Sequence, residues 1–245
     1  MQAALDLSSM TTLVLCGGLG TRLRAVIGER PKALAPIAGH PFLHYLLRYL
    51  QRQHVRDVVL CTGFGAAEIE AYCQDGRAWQ LEIRYSCEDR PLGTAGAIKQ
   101  AESYVRSNPL CVLNGDSLVQ ADLSTLVQFH RAKQARMTLC LVEVPSRARF
   151  GSVTLAADGT IISFGEKRHQ QAGLINAGLY VMDQAVLQMI PPGSPVSLER
   201  DVLPRMIGQR LYGLVAADPF IDIGTPETYT LAQSLLPDWM NEAEA

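Results

Sequence analysis

No Cys-x-x-Cys pair occurs among the six cysteines, and the five histidines keep no metal-binding spacing, so neither a zinc site nor a disulfide framework is expected. No apolar run reaches the roughly 18 residues that a membrane-spanning helix needs. Residues 1–10 have no basic n-region and no long apolar h-region, which argues against a secretory signal. Basic residues are not in surplus: 22 Lys and Arg face 24 Asp and Glu, for a net charge of −2. General nucleic-acid binding is therefore not expected, because no excess cation is left to neutralise a phosphate backbone. Repeats and low-complexity tracts are missing, including the hexapeptide pattern of a β-helix. Neither Ser117 nor any cysteine has a histidine base beside it in motif form, which disfavours a covalent nucleophile.

The 245 residues that remain to be explained are 48% hydrophobic and 19% charged. That is enough apolar material for one large α/β domain and too little charge for a disordered chain. Cys16, Cys61, Cys73, Cys87, Cys111 and Cys140 mostly fall in or at the end of strand-like runs. They read as small buried side chains in a reducing compartment, which points to a cytoplasmic protein.

The stretch from Leu13 to Lys32 organises the chain. A short apolar run, Thr12 to Cys16, ends in Gly17, Gly18 and Gly20, and Arg22, Arg24, Arg30 and Lys32 follow. Glycines cost backbone entropy and clustered cations repel, so together they suggest a polyanion. Main-chain N–H groups freed of Cβ atoms can cradle phosphate oxygens, and the cations neutralise the rest. A dinucleotide fingerprint would need glycine where Leu23 stands, and no Gly-Lys-Ser/Thr follows at P-loop spacing. The competing reading is a tight strand-to-helix turn with solvated arginines.

Strand-like and helix-like segments alternate up to Val144. Helical spacing covers residues 41–54, 66–73, 93–105 and 122–133, the last with Asp122 as a cap. Strands are expected at 55–62, 81–87, 110–113 and 137–144. This alternation predicts a Rossmann-like, mostly parallel sheet with helices on both faces and ligands beyond the strand ends. After Pro145 the character changes. Asp158-Gly159 marks a hairpin between 152–155 and 160–166. A strand at 174–182, short helices at 183–190 and 198–207, strands at 212–215 and 220–223, and a helix at 226–236 follow. Ser197 would cap the second short helix, with Arg200 where a capping box wants Glu. The expected organisation is one domain over 1–236, with a part at 11–145 and a smaller β-hairpin/α part at 146–236. A frayed tail is expected from Pro237 through 245.

Two carboxylates stand out. Asp116, in Asn-Gly-Asp after a strand, is placed as a Mg²⁺ ligand would be, since Mg²⁺ takes one or two carboxylates plus substrate phosphates. Its plainer role is to cap the following turn. Asp222 lies inside an apolar strand, where an unpaired carboxylate is costly. Its plainer role is a hydrogen bond to Thr225 or the next helix. The two together could hold one ion.

The string Gly-Gly-Leu-Gly-Thr-Arg-Leu (17–23) followed by Pro31-Lys32 resembles the signature of the sugar-1-phosphate nucleotidyltransferases, and the resemblance extends to about residue 235. It implies an enzyme joining a nucleoside triphosphate and a sugar 1-phosphate, with release of pyrophosphate. Nucleotide binding would involve Leu15, Gly17, Gly18, Gly20, Thr21, Arg22, Glu88, Leu92, Gly93, Thr94 and Asp116. The sugar phosphate would meet Gly151, Glu166, Lys167, Asn176 and Asp222, with Mg²⁺ on Asp116 and Asp222. Arg22, Lys32, Asp116 and Lys167 would carry the chemistry. The family pattern Glu-Lys-Pro is here Glu166-Lys167-Arg168.

A carboxylate at Glu88 can accept the paired N1–H and N2–H of guanine, which favours GTP over triphosphates with a single N–H. Arg-Pro-Lys-Ala-Leu-Ala-Pro, Pro-Leu-Gly-Thr-Ala-Gly, Ser-Leu-Glu-Arg-Asp and Phe-Ile-Asp-Ile-Gly-Thr-Pro-Glu are most similar to the short bacterial guanylyltransferases acting on D-glycero-D-manno-heptose 1-phosphate. GDP-heptose for capsule or lipopolysaccharide would be the product. Mannose-1-phosphate guanylyltransferase and glucose-1-phosphate thymidylyl- or uridylyltransferase are the rivals. A non-catalytic sensor of nucleotide sugars would be free to lose the cations and aspartates kept here. A glycosyltransferase would want Asp-x-Asp where Asn114-Gly115-Asp116 stands. The oligomeric state is left open, a homodimer being one form the sequence admits.

Overall fold

The computed structural model describes residues 6–18, 20–147, 149–165, 171–217 and 219–241. β1 (Thr12–Leu15) leads through a short α1 (Arg24–Ile27) and a small hairpin, β2 (Pro36–Ile37) with β3 (His40–Pro41), into α2 (Phe42–Arg52). There follow β4 (Asp57–Thr62), α3 (Ala66–Cys73), β5 (Glu82–Cys87), α4 (Gly93–Gln100) and β6 (Leu110–Asn114). Next come β7 (Ser117–Val119), α5 (Leu123–Ala132) and β8 (Met137–Val144). The second part holds β9 (Ser152–Leu155), β10 (Ile161–Gly165), β11 (Gly173–Met182), α6 (Leu203–Met206), β12 (Leu211–Ala216), β13 (Phe220–Asp222) and α7 (Pro226–Asn241).

β5, β4, β1 and β6 lie side by side and run parallel. The chain moves outward from β1 to β4 and β5 on one side, then returns to β6 on the other. The carboxyl ends of β1 and β6 therefore flank the point where strand order reverses, and an open α/β sheet leaves a crevice there. Beyond β6 the sheet is mixed. β11 runs antiparallel to both β6 and β8, β12 runs parallel to β8, and the β9–β10 hairpin joins through β9.

Side chains of β1 alternate between the two faces, as the period of a strand requires. Leu13 joins a core with Val59, Ala95, Ile98 and Leu203, whereas Val14 joins one with Leu46, Leu60, Ile69 and Leu126. Helices thus cover both faces, and the expected α/β class is borne out. Among the described residues no helix is long and apolar enough to cross a membrane.

Two helix termini show how local chemistry sets the elements. Asp122 caps α5 by accepting Ser124 N–H at 2.8 Å. Ser197 accepts Arg200 N–H at 3.3 Å, and its own N–H donates to Asp201 Oδ2 at 2.7 Å. The return bond comes one residue later than in a capping box, because Leu198–Val202 forms a π turn with an extra residue per loop. The helix expected at 198–207 is this π turn followed by α6.

The frayed tail expected from Pro237 is corrected as far as Asn241, to which α7 runs through Pro237; the rest of it, 242–245, lies outside the described residues. Proline removes one helical N–H and crowds the preceding turn, but tertiary contacts outweigh it. Trp239 is 7% exposed in the core, and its carbonyl accepts Arg52 Nη1–H at 3.2 Å. Trp239→Ala is expected to cost about 3 kcal/mol, read as a lower melting temperature. An unchanged melting temperature would show that this last turn adds no stability.

Candidate active site

Two adjoining cavities open at the carboxyl ends of β1 and β6. The smaller, about 250 Å³, is lined by Leu15, Gly17, Gly18 and Glu88 among others. The larger, about 680 Å³, is lined by Gly151, Asn176, Glu199 and Asp222 among others. Gly93, Thr94, Asn114 and Asp116 border both.

Asp116 owes its place to the turn after β6. Gly115 N–H donates to Leu15 O at 3.0 Å, and a Cβ on Gly115 would stand 2.5 Å from that oxygen. Only glycine lets the turn close onto β1 and leave Asp116 at the junction. Lys32, at the start of a 3₁₀ turn, sends Nζ to Asp116 Oδ2 at 2.7 Å, with its side chain only 11% exposed. Asp116 therefore pairs with a lysine and does not cap the turn that follows it.

Asp222 arrives from the far end of the chain. β13 pairs antiparallel with β7, setting Asp222 opposite Ser117, and Ile223 N–H donates to Asp116 O at 3.0 Å. Asp222 Oδ1 accepts from Arg149 Nη2 at 2.7 Å and from Gly224 N–H at 2.9 Å. Thr225 bonds Thr228 instead.

The two carboxylates are hard oxygen donors on neighbouring strands beside a cavity, which suits a divalent cation that takes its other oxygens from phosphate and water. Among the described residues no group of three or more His, Cys, Asp or Glu side chains gathers to enclose a metal. Substrate oxygens would have to complete the coordination. Each carboxylate meanwhile has a cation of its own, Lys32 or Arg149, so the pair is charge-balanced in the protein alone.

The glycines of the loop have different reasons to be glycine. Gly20 has φ +58° and would place a Cβ 3.1 Å from Lys32 Cβ, so the loop folds over that lysine. A Cβ on Gly17 would fall 2.7 Å from Glu88 Oε1. A Cβ on Gly18 would meet nothing within 4 Å, so the fold itself does not demand glycine there. Thr21 and Arg22 are exposed, and among the described residues Arg22 has no hydrogen-bond or ion-pair partner.

Glu88 follows β5 and reaches back beneath the loop. Its Oε2 accepts Leu92 N–H at 3.1 Å. Burial raises its pKa, and the Leu92 N–H opposes that rise. Leu92 buries its side chain, so its N–H rather than its side chain faces the site.

In the larger cavity Asn176 Oδ1 accepts Gly178 N–H at 3.0 Å, and Nδ2 donates to Tyr180 Oη at 2.7 Å. Gly178 has φ +77°, and a Cβ there would lie 2.6 Å from Asn114 Nδ2. Glu199, carried inward by the π turn, and Arg149, from the loop after β8, have no place in the sequence-level site. Glu199 lay within Ser-Leu-Glu-Arg-Asp, a motif that marked the segment but not the residue. No sequence pattern marks Arg149. Glu166 and Lys167 fall outside the described residues.

This arrangement defines an α/β protein with two adjoining cavities, a glycine-lined one beside the loop and a larger one, that share Asp116 and its Lys32 partner at their junction. The chain belongs to the nucleotidyl transferase family, whose model matches residues 11–238. Enzymes of this family commonly use a divalent metal. The chain is 37% identical over 232 residues to the D-glycero-alpha-D-manno-heptose 1-phosphate guanylyltransferase of Aneurinibacillus thermoaerophilus, covering 94% of this chain and 100% of that one. It is 40% identical to the mannose-1-phosphate guanylyltransferase of Mycobacterium tuberculosis, covering 89% of this chain but 62% of the longer relative. Among solved structures, HddC from Yersinia pseudotuberculosis complexed with GMP-PN superposes with a TM-score of 0.82 at 32% identity, covering 91% of this chain and 98% of that one.

Proposed function

We propose that this protein transfers a guanylyl group from GTP to D-glycero-D-manno-heptose 1-phosphate, giving GDP-heptose and pyrophosphate. The observation that carries this reading is Asp116 on the border shared by the two cavities, beside Lys32 and Asp222. The near-complete mutual coverage with the Aneurinibacillus heptose enzyme favours heptose over mannose. The six free cysteines, five of them buried, fit a cytoplasmic setting.

A phosphate oxygen of the sugar phosphate attacks the α-phosphorus of GTP, and the bond from that phosphorus to the β-phosphate oxygen breaks. The attacking oxygen is already an anion, so no general base is required. The obstacle is repulsion between two anions, which positioning and charge neutralisation overcome. Backbone N–H groups of Gly17, Gly18 and Gly20, with Arg22, would hold the leaving pyrophosphate. The open space at Gly18 supports this, because a ligand explains the missing side chain where packing does not. Lys32 would neutralise charge near the α-phosphate, and Lys167 would guide the attacking phosphate. Asp116 and Asp222 would hold a Mg²⁺ ion, which supplies Lewis-acid stabilisation of the reacting phosphoryl group. Glu199 and Asn176 offer acceptors and a donor to sugar hydroxyls.

Pyrophosphate release tests the assignment, with GTP, ATP, UTP and dTTP each paired with heptose, mannose and glucose 1-phosphates. Release with GTP and the heptose is expected. Turnover confined to GTP with mannose 1-phosphate would move the sugar, and turnover with UTP and glucose 1-phosphate would remove both choices.

Glu88 would accept the N1–H and N2–H of guanine, and only its ionised form can do so. Because burial raises its pKa, it takes up a proton at a higher pH than an ordinary carboxylate. The KM for GTP is expected to climb as pH falls through that raised pKa. In Glu88→Gln the KM should be high at all pH values, without that climb. A wild-type KM flat down to pH 4.5, the usual range for glutamate, would remove Glu88 from base recognition.

A further inference from the structure

Thr94 is the second residue of α4, in the segment that by resemblance frames the nucleobase, yet its side chain bonds to the wall of the other cavity. Its Oγ1 donates to Glu199 Oε2 at 2.8 Å and accepts Leu198 N–H at 2.7 Å. A hydroxyl has one proton, and this one is committed to Glu199. The surrounding backbone joins the same two segments. Ala95 and Gly96 N–H both donate to Val196 O, at 2.9 and 3.2 Å, and Val196 N–H donates to Leu92 O at 2.8 Å. A Cβ on Gly93 would lie 2.6 Å from Val196 O, so the contact leaves no slack.

Glu199 has few other anchors. Ser197 Oγ reaches Oε2 at 3.0 Å, and Tyr180 Oη reaches Oε1 at 3.4 Å. Burial, and after it the Glu199 charge, push the Tyr180 phenol well above its ordinary pKa, so it remains a donor. Asn176 Nδ2 completes the chain at 2.7 Å from Tyr180 Oη. One line of hydrogen bonds therefore runs from Thr94 through Glu199 and Tyr180 to Asn176, along the wall of the larger cavity.

We propose that Thr94 is a positioning residue for the sugar 1-phosphate: its hydroxyl fixes the Glu199 carboxylate, and its contribution to the nucleotide is slight. This rests on the functional reading above. The test compares Thr94→Val, which keeps the shape and loses the hydroxyl, with Thr94→Ser, which restores it. Both are assayed by pyrophosphate release with the substrate pair that the wild type turns over. Loss of a charge-assisted hydrogen bond should raise the sugar-phosphate KM of Thr94→Val about tenfold. The KM for the triphosphate and its calorimetric Kd should move less than about twofold. Thr94→Ser should recover the wild-type KM, and Thr94→Val should add little in an E199Q background, as expected of residues acting through one another.

A triphosphate KM that rises as far as the sugar KM, an unmoved sugar KM, or no recovery in Thr94→Ser would each overturn the proposal. Thr94→Ala is the second variant should valine disturb the helix start. If the wild type releases pyrophosphate with no pair, the functional reading falls separately. A crystal structure of Thr94→Val then decides: a rotated Glu199 carboxylate upholds the positioning role, and one left in its wild-type orientation overturns it.

Discussion

Replacing Arg22 with glutamine is expected to cut kcat for pyrophosphate release about 10³-fold while the melting temperature stays at the wild-type value. Arg22 is exposed and has no partner among the described residues, so folding loses no contact when its charge is removed. Its proposed task lies wholly with the leaving phosphates, where an arginine acts only once charge develops. Steady-state kinetics and a thermal scan of the same preparation check this. A variant within tenfold of the wild-type rate would remove Arg22 from the chemistry, and a large fall in melting temperature would show a structural duty that the geometry does not contain.

Asp116→Asn is expected to lose at least about 10³-fold in rate for a different reason, and to lose stability as well. The substitution weakens the oxygen set proposed for the divalent ion, an interaction worth several kcal/mol at a phosphoryl centre. It also strands Lys32, whose side chain is 11% exposed and whose ammonium sits 2.7 Å from the lost charge. An unpaired, partly buried cation costs about 1–3 kcal/mol. Adding Lys32→Met to Asp116→Asn should therefore restore much of the melting temperature and none of the activity. Manganese binding, followed by its paramagnetic signal, should weaken in both variants. Undiminished manganese affinity in Asp116→Asn would move the ion elsewhere.

The contrast between these two cations explains what could be read from the residues alone. Gly17, Gly18, Gly20, Arg22 and Lys32 are close in sequence, so they stand out as a cluster, and the packing of Gly20 over Lys32 is a contact within it. The strand ends at Leu15, Glu88 and Asp116 follow from the α/β alternation, because such sheets present their carboxyl ends to one crevice. Arg149 and Glu199 were hidden for the opposite reason. Each acquires its role through a partner distant in sequence, Asp222 for Arg149 and Thr94 for Glu199. The π turn that aims Glu199 leaves only an indirect trace, Arg200 in the place of a capping glutamate. Pro237 misled in its own way: it is a valid stop signal locally, overridden by the burial of Trp239. Gly178 likewise owes its identity to a residue distant in sequence, since Asn114 packs where a Cβ would stand.

The pairing of β7 with β13 ties the middle of the chain to one of its last strands. During synthesis the parallel sheet and the glycine loop can form well before β13 has been made. Until β13 is made and docks, Asp116 lacks the acidic neighbour that Asp222 supplies. The carboxylate pair proposed to hold the metal ion is thus assembled among the last steps of folding, from strands separated by about a hundred residues of chain.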